Sequence, residues 1–292
     1  MKSKIKIIKA RKMGFCFGVK AAIESCNKYI ENIKNNEKIY ILGMLVHNEY
    51  IVKEMENKGF ITLNEEDILE DKIELNEKSV VIIRAHGTTK QIYENLARKN
   101  VIIEDGTCIF VKKIREKMIE EEEKENEIIF LGDKDHPEVK GIISFAKKVI
   151  IAKDFEELKA LKIDPQKSYS LLCQTTLNKK KIKEMKTFLE KEHFNVIIYD
   201  RVCGATSERQ EAVREIAEKV DLMLIVGGQK SSNTQKLYDI SIQINPNTKF
   251  ISDETELVSE WFHGVKKLGI TAGASTPDII IKKIENRIEE EF

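Results

Sequence analysis

The chain has 292 residues, of which 41% are hydrophobic and 34% charged, a composition typical of a globular protein with room for two or three compact domains. Its 49 basic and 49 acidic residues leave no formal net charge, which argues against a nucleic-acid coat and a membrane-surface protein. No apolar stretch is long enough to span a bilayer, and the start lacks the apolar segment of a signal peptide. We therefore expect a cytoplasmic location and neither a nucleic-acid nor a membrane partner.

Three degenerate repeats follow one another along the chain, and each begins with a cysteine that leads into a predicted helix. An apolar strand follows that helix, and a small polar cluster follows the strand and opens the next helix. Later in each repeat, a second strand ends in another polar cluster. In chain order, the cysteines are Cys16, Cys108 and Cys203, and the first strands cover residues 39–43, 128–132 and 222–228. The polar clusters after these strands begin at His47, His136 and Ser231. The clusters after the second strands cover residues 84–89, 173–176 and 271–276.

The repeats predict the domains, because the three cysteines stand at almost equal intervals and the segment before Cys16 would complete the third repeat. We predict an α/β fold of three similar small domains: residues 17–107, residues 108–202, and residues 1–16 together with 203–292. Alternating strands and helices favour parallel sheets, whose ligands collect beyond the carboxyl ends of the strands. The domains are therefore expected to surround a pseudo-threefold axis, with a metal cluster at the centre.

Cys16, Cys108 and Cys203 are the candidate metal ligands. Each lies at a predicted helix start, where the helix dipole favours the thiolate, and the paired Cys-x-x-Cys motifs of common zinc sites are absent. Three thiolates on an iron–sulfur cubane would leave one iron open to a substrate oxygen. Cys26 and Cys173 have no counterparts in the other repeats, and we predict that both are small buried hydrophobes.

A second set of residues combines hydroxyl, amide and imidazole groups with helix starts, where unpaired backbone N–H groups suit phosphate. For any single hydroxyl, helix capping is an equal alternative; for the whole set, anion binding is favoured. The set is His47, His86, Ser231, Ser232, Asn233 and Ser275.

The cluster that begins at His136 differs from the others because it contains a carboxylate, Glu138. A glutamate beside a leaving hydroxyl can deliver a proton to it, and the Thr175 hydroxyl could complete a relay. The alternative interpretation of Glu138 is an exposed acid at a helix start, where negative charge is favourable in any protein.

The chain resembles the LytB/IspH family over essentially its whole length. The resemblance is carried, in order, by GFCFGV from position 14, VHN from 46, AHG from 85, GTC from 106, HPEVKG from 136, QTTL from 174, CGAT from 203, RQEAV from 209, SSN from 231 and TAGAS from 271. One departure is Ile109, where many relatives have proline after the second cysteine. We expect this change to affect local backbone stiffness and not the metal ligand.

The resemblance implies a role for each candidate residue. A single 4Fe-4S cluster would be held by Cys16, Cys108 and Cys203, with its open iron facing the substrate. The substrate's hydroxyl end would be surrounded by His136, Glu138 and Thr175, with Glu138 as the main proton donor. The diphosphate would be bound by His47, His86, Ser231, Ser232, Asn233 and Ser275.

The implied activity is an oxidoreductase reaction, the reductive dehydroxylation of 4-hydroxy-3-methylbut-2-enyl diphosphate. Its products would be isopentenyl and dimethylallyl diphosphate, which makes it the last step of the non-mevalonate (MEP) route of isoprene biosynthesis. Ferredoxin or flavodoxin would supply the electrons. Two alternatives stay open from the sequence: a condensing dehydratase similar to quinolinate synthase, which consumes no external electrons, and a non-catalytic iron–sulfur sensor of a phosphorylated metabolite. Turnover with a reductant separates all three.

Overall fold

The computed structural model describes residues 5–35, 37–161, 163–192, 194–199 and 203–292. The first four residues of the predicted third domain, and the last three of the predicted second domain, lie outside the described residues. Within these ranges, the strands are β1 (Lys6–Lys9), β2 (Ile39–Leu42), β3 (Ile61–Leu63), β4 (Val80–Ile83), β5 (Ile102–Asp105), β6 (Glu127–Leu131), β7 (Val149–Ala152), β8 (Tyr169–Cys173), β9 (Val196–Ile198), β10 (Leu222–Val226), β11 (Thr248–Ile251) and β12 (Lys267–Ala272).

Helices alternate with these strands along the chain, as the sequence pattern predicts. They are α1 (Phe17–Asn27), α2 (Ile30–Lys34), α3 (Glu49–Asn57), α4 (Glu65–Leu69), α5 (Lys90–Arg98), α6 (Ile109–Glu123), α7 (Pro137–Ile143), α8 (Phe155–Ala160), α9 (Lys179–Lys191), α10 (Gly204–Ala217), α11 (Ser232–Ile244) and α12 (Asp278–Glu291), with short 3₁₀ turns at Glu254–Glu256 and Ser259–Phe262. Nowhere in the described ranges is a helix both long and apolar enough to cross a membrane.

The first of two compact bodies comprises residues 5–20, 46–52 and 204–292 and contains one parallel sheet, in the order β1-β12-β10-β11. The N-terminal strand β1 pairs with β12 through Ile7 opposite Leu268. Side chains alternate along the central strand β10: Leu224 faces one apolar cluster and Met223 faces another. Both faces of this sheet are therefore buried, as is usual when helices cover a parallel sheet.

The second body comprises the described residues of 21–45 and 53–203 and holds two further parallel sheets. Their orders are β3-β2-β4-β5 and β7-β6-β8-β9. Every residue of the central strands β2, β4 and β8 is buried, and Ile129 and Phe130 of β6 enter separate apolar clusters on opposite faces. The amino-acid sequences of these strands are therefore nearly continuous runs of apolar residues.

The predicted α/β class with parallel sheets is confirmed by these three similar four-stranded sheets. In each, a strand near the middle of the sheet ends just before one of the polar clusters identified in the sequence. The domain boundaries after residues 16, 107 and 202 stay a prediction, as does the pseudo-threefold axis.

Candidate active site

Each of the three candidate ligand cysteines lies immediately before a helix. Cys16 precedes α1 and its Sγ accepts a hydrogen bond from the Val19 backbone N–H at 3.5 Å; Cys108 is the N-cap of α6; Cys203 precedes α10. All three cysteines are of intermediate burial. The backbone N–H groups and positive dipole end of a helix start stabilise a thiolate, so this chemistry fits an iron–sulfur cluster. No group of His, Cys, Asp and Glu in the described residues is arranged to hold a single metal ion.

The other two cysteines are buried, which confirms their predicted role. Cys26 is fully buried on α1, and the burial raises the pKa of its thiol to about 12. Cys173 ends β8 inside an apolar cluster. Neither has the exposure that a reactive thiolate requires.

The start of α11 in the first body carries three of the predicted anion-binding residues. Ser231 is the N-cap, and its Oγ accepts a hydrogen bond from the Thr234 backbone N–H at 3.3 Å. Ser232 is the first residue of the helix. Asn233 is buried, yet neither its Oδ1 nor its Nδ2 has a hydrogen-bond partner among the described residues. A buried amide without partners is costly unless a ligand satisfies it.

His47 and Ser275 lie beside this helix start. The Ser275 Oγ donates a hydrogen bond to the His47 carbonyl oxygen at 3.1 Å, and both residues are buried. Gly228, in the loop between β10 and α11, approaches the same carbonyl so closely that a Cβ would lie 2.4 Å from it. The Cys16 backbone N–H donates to the carbonyl of Ala274, which precedes Ser275, at 3.1 Å. The first body thus brings one candidate ligand cysteine together with five of the six predicted anion-binding residues, all except His86.

Glu138, in the second body, is buried on the first turn of α7, so the alternative of an exposed acid is wrong. Thr175 donates hydrogen bonds to both carboxyl oxygens of Glu138: its backbone N–H bonds Oε1 at 2.8 Å, and its Oγ1 bonds Oε2 at 2.8 Å. Burial raises the pKa of Glu138, and the two bonds from Thr175 oppose that shift by favouring the carboxylate. The result is a carboxyl group that keeps its proton at higher pH than an ordinary glutamate.

His136 is the N-cap of α7, and its Nδ1 accepts a hydrogen bond from the Glu138 backbone N–H at 3.1 Å. Burial lowers the pKa of His136 to about 4; the nearby Asp133 carboxylate opposes the shift and the Arg84 charge adds to it. The imidazole is therefore neutral at physiological pH. Because Nδ1 accepts, the ring proton is assigned to Nε2, which makes Nε2 a hydrogen-bond donor.

The other candidate residues of the second body are His86, Cys108 and Cys203, and they lie close to the segments already described. The His86 ring lies 5.7 Å from the His136 ring, edge to face. The Cys108 backbone N–H donates to the carbonyl of Ala85 at 2.9 Å, and the Cys203 backbone N–H donates to that of Thr175 at 3.2 Å. The second body thus places two candidate ligand cysteines next to the segments that carry His86 and Thr175.

The family profile described as LytB protein matches residues 7–289 of this chain. The chain belongs to the LytB family. A relative in Fusobacterium nucleatum, named 4-hydroxy-3-methylbut-2-enyl diphosphate reductase, is 50% identical over 284 residues, which are 97% of this chain but 34% of the relative. This chain therefore spans about a third of the length of that relative. A protein of the same name in Aquifex aeolicus is 37% identical over 98% of this chain and 96% of its own.

Two solved structures of LytB-family reductases are similar to the chain. One, described as the terminal enzyme of the non-mevalonate pathway, is 37% identical with a TM-score of 0.68 and covers 98% of this chain and 99% of its own. The other, the E-1-hydroxy-2-methyl-but-2-enyl-4-diphosphate reductase from Plasmodium falciparum, is 28% identical with a TM-score of 0.89 and covers 97% of this chain and 88% of its own.

Two arginines, the half-buried Arg84 and the buried Arg209, support the candidate site of this LytB-family chain, and sequence reasoning gave neither of them a role. Arg84 bonds the Gly87 carbonyl at 3.1 Å and forms an ion pair with Glu65 at 2.6 Å, which fixes the turn that contains His86. Arg209 donates to the Gly14 carbonyl at 2.6 Å, in the loop that leads to the first candidate ligand cysteine. The available signals in the sequence were the position of Arg84 at the start of the 84–89 cluster and that of Arg209 at the start of the RQEAV motif.

Proposed function

We propose that this chain is a 4-hydroxy-3-methylbut-2-enyl diphosphate reductase, which forms isopentenyl and dimethylallyl diphosphate in the last step of the non-mevalonate route. The names of its relatives support the substrate. The single structural observation that carries the proposal is the buried Glu138 carboxyl held by Thr175, because removal of a hydroxyl as water needs a proton donor and burial raises the pKa of this carboxyl group.

The proposed cofactor is one 4Fe-4S cluster on Cys16, Cys108 and Cys203. Support comes from the chemistry of the donor set: three cysteine thiols of intermediate burial, each directly before a helix. When bound, the cluster supplies electrons one at a time and an iron that has no cysteine ligand and can act as a Lewis acid.

The diphosphate is proposed to bind the side chains of His47, His86, Ser231, Ser232, Asn233 and Ser275. The unsatisfied amide of Asn233 gives the strongest support, because a phosphate oxygen can accept from its Nδ2. The first turn of α11 adds backbone N–H donors and the positive end of a 13-residue helix. The chain has no net positive charge that could attract an anion from a distance. Neutral donors fit this balance, because they bind the anion through directed hydrogen bonds.

The hydroxyl end of the substrate is proposed to lie against His136, Glu138 and Thr175. His136 orients the hydroxyl oxygen through its Nε2–H, and Glu138 transfers its proton to that oxygen as the C–O bond breaks. Thr175 positions the carboxyl group through both oxygens. In total, the substrate takes up two electrons and two protons and releases water. The second proton is added at either end of the allylic system, which gives the two products.

A ferredoxin or flavodoxin is the proposed electron donor, and the cytoplasm the proposed location. The test of the activity is product analysis. Anaerobically purified holoprotein is incubated with 4-hydroxy-3-methylbut-2-enyl diphosphate and a reduced viologen, and the dephosphorylated products are identified by gas chromatography. We expect isoprenoid alcohols from both products. Recovery of unchanged substrate from protein with full iron and sulfide content would reject the proposed function.

A further inference from the structure

The carboxylate of Asp105, the last residue of β5, joins the chain segments on the two sides of Cys108. On the N-terminal side, its Oδ1 accepts a hydrogen bond from the Thr107 backbone N–H at 3.0 Å. On the C-terminal side, its Oδ2 forms an ion pair with the Nζ of Lys112 at 3.0 Å, and the same Nζ donates to the Asp105 carbonyl oxygen at 3.1 Å. Lys112 lies on the first turn of α6, and its backbone N–H donates to the Cys108 carbonyl oxygen at 3.0 Å. The candidate ligand therefore lies within a closed ring of contacts.

Tyr93, on α5, anchors this carboxylate. Its hydroxyl donates to the Asp105 Oδ1 at 3.2 Å and lies 3.3 Å from the Thr107 Oγ1. The Tyr93 ring packs edge to face against the ring of Phe145, with 6.0 Å between the centroids, and the Arg115 guanidinium lies 5.7 Å from its centroid. Arg115 belongs to α6 and Phe145 follows α7. The phenol is thus held by contacts to neighbouring elements, and it can fix the loop that it bonds.

The same loop packs against the turn that carries His86. A Cβ on Gly87 would lie only 3.2 Å from the Cγ2 of Thr107. The Cys108 backbone N–H, one residue further along, donates to the Ala85 carbonyl oxygen at 2.9 Å. Any displacement of this loop would therefore move a candidate metal ligand relative to a predicted anion-binding histidine.

The acid that precedes Asp105 on β5 has partners of the same chemical types in a different part of the chain. Glu104 forms an ion pair with Lys28 at 2.6 Å and accepts a hydrogen bond from the Tyr29 hydroxyl at 3.3 Å. Lys28 and Tyr29 follow the end of α1, and successive side chains of a strand point to opposite faces of the sheet. Glu104 and Tyr29 therefore provide matched controls for Asp105 and Tyr93.

We propose that Asp105 and Tyr93 are positioning residues for Cys108, which hold its loop so that the thiolate stays in place as a cluster ligand. The inference rests on the proposed function, which assigns Cys108 to the cluster. Groups that orient a metal ligand typically change metal affinity by about 10- to 100-fold when they are replaced. Asp105 has a second effect through its charge, because it neutralises the Lys112 cation beside the ligand and so lowers the reduction potential of the cluster.

The test measures the rate at which anaerobic, oxidised holoprotein loses iron to a chelator, a rate that does not depend on turnover. Tyr93→Phe removes only the hydroxyl, and Asp105→Asn removes the charge at almost constant size. Both variants are expected to lose iron roughly 10-fold faster than the unmodified protein. Tyr29→Phe and Glu104→Gln make the same chemical changes away from the loop and should keep the original rate. Equal rates within the two matched pairs would overturn the positioning role.

The midpoint potential of the cluster is a second readout, which a general loss of stability would not shift in the expected direction. Asp105→Asn leaves the Lys112 cation without its counter-ion and is expected to raise the potential, because a cation favours the more negative, reduced cluster. Tyr93→Phe changes no charge and should leave the potential unchanged. An unchanged potential in Asp105→Asn would overturn the charge effect.

Failure of this inference is distinguishable from failure of the proposed function. Unmodified protein with full iron and sulfide content that shows no substrate-dependent viologen oxidation would reject the proposed function. The iron-loss rates of the four variants would still decide whether Asp105 and Tyr93 position a ligand. Unmodified protein that takes up no cluster under reconstitution would overturn this inference together with the proposed cofactor.

Discussion

At the scale of single residues, the proposed chemistry depends on a buried carboxyl group whose pKa is raised. Glu138 is 2% exposed, and its burial raises the pKa, while the two bonds from Thr175 limit that shift. The pKa of His136, two residues earlier in the chain, is shifted in the opposite direction, and its imidazole remains neutral. Burial acts on both groups in the same sense, since it disfavours the charged form of each. Burial therefore favours the neutral form of both groups, which is the form that the proposed reaction requires.

Glu138→Gln removes the transferable proton and preserves the size and most of the hydrogen bonds of the side chain. We expect the iron content and substrate affinity to stay near normal and kcat to fall by roughly 10²-fold or more, the usual contribution of a general acid. Steady-state kinetics with reduced viologen, together with iron analysis, measures both. Near-normal turnover in this variant would remove Glu138 from the proton-delivery step.

The pH dependence of kcat follows from the raised pKa of Glu138. The reaction needs the protonated form, so kcat should fall as the pH rises through that pKa. Thr175→Val deletes the Oγ1 bond that favours the carboxylate, so the pKa should rise further and the falling limb should move to higher pH. Thr175→Ser keeps the hydroxyl and should keep the limb in place. A limb that moves to lower pH in the valine variant would contradict the assigned direction of that bond.

At the scale of elements, the loops that follow the parallel strands carry the site. In the first body, the turn after β10 is possible only because Gly228 has no side chain: a Cβ there would lie 2.4 Å from the His47 carbonyl oxygen. That oxygen also accepts the Ser275 hydroxyl. The helix start at Ser231 is therefore coupled to the two segments predicted to share its ligand.

Gly228→Ala should push the His47 segment away, since the blocking atom is backbone and cannot rotate aside. We expect a lower melting temperature and weaker binding of inorganic diphosphate, measured by thermal unfolding and by calorimetric titration. Gly204→Ala is the control, because nothing lies within 4 Å of its added Cβ. Equal behaviour of the two alanine variants would show that the close approach at Gly228 is not required.

Substitution of Asn233 can distinguish a role in diphosphate binding from a role in protein stability. An unsatisfied buried amide contributes nothing to the free protein, so Asn233→Ala should leave the melting temperature unchanged or slightly higher. The affinity for diphosphate should nevertheless fall, by about tenfold for one lost hydrogen bond to a charged group. Ser231→Ala should instead destabilise the protein by about 1 kcal/mol through loss of the N-cap. A destabilised Asn233→Ala with normal diphosphate affinity would assign this residue to the fold.

At the scale of the whole molecule, the repeat in the sequence predicted the three parallel sheets and the position of each candidate ligand cysteine before a helix. Both depend on local pattern, namely apolar strands and the residues that flank them. The burial of Glu138, the tautomer of His136 and the ion pair of Arg84 with Glu65 could not be predicted, because each depends on partners brought together by folding. Arg84 and Glu65, for example, are 19 residues apart.

The central claim is that this chain reduces an allylic diphosphate with electrons that pass through a three-cysteine cluster. The most direct measurement follows the oxidation of reduced methyl viologen by anaerobic holoprotein when 4-hydroxy-3-methylbut-2-enyl diphosphate is added. The account predicts substrate-dependent oxidation of two viologen molecules for each substrate molecule consumed. Protein with its full iron and sulfide content that oxidises no viologen on addition of this substrate would contradict the account.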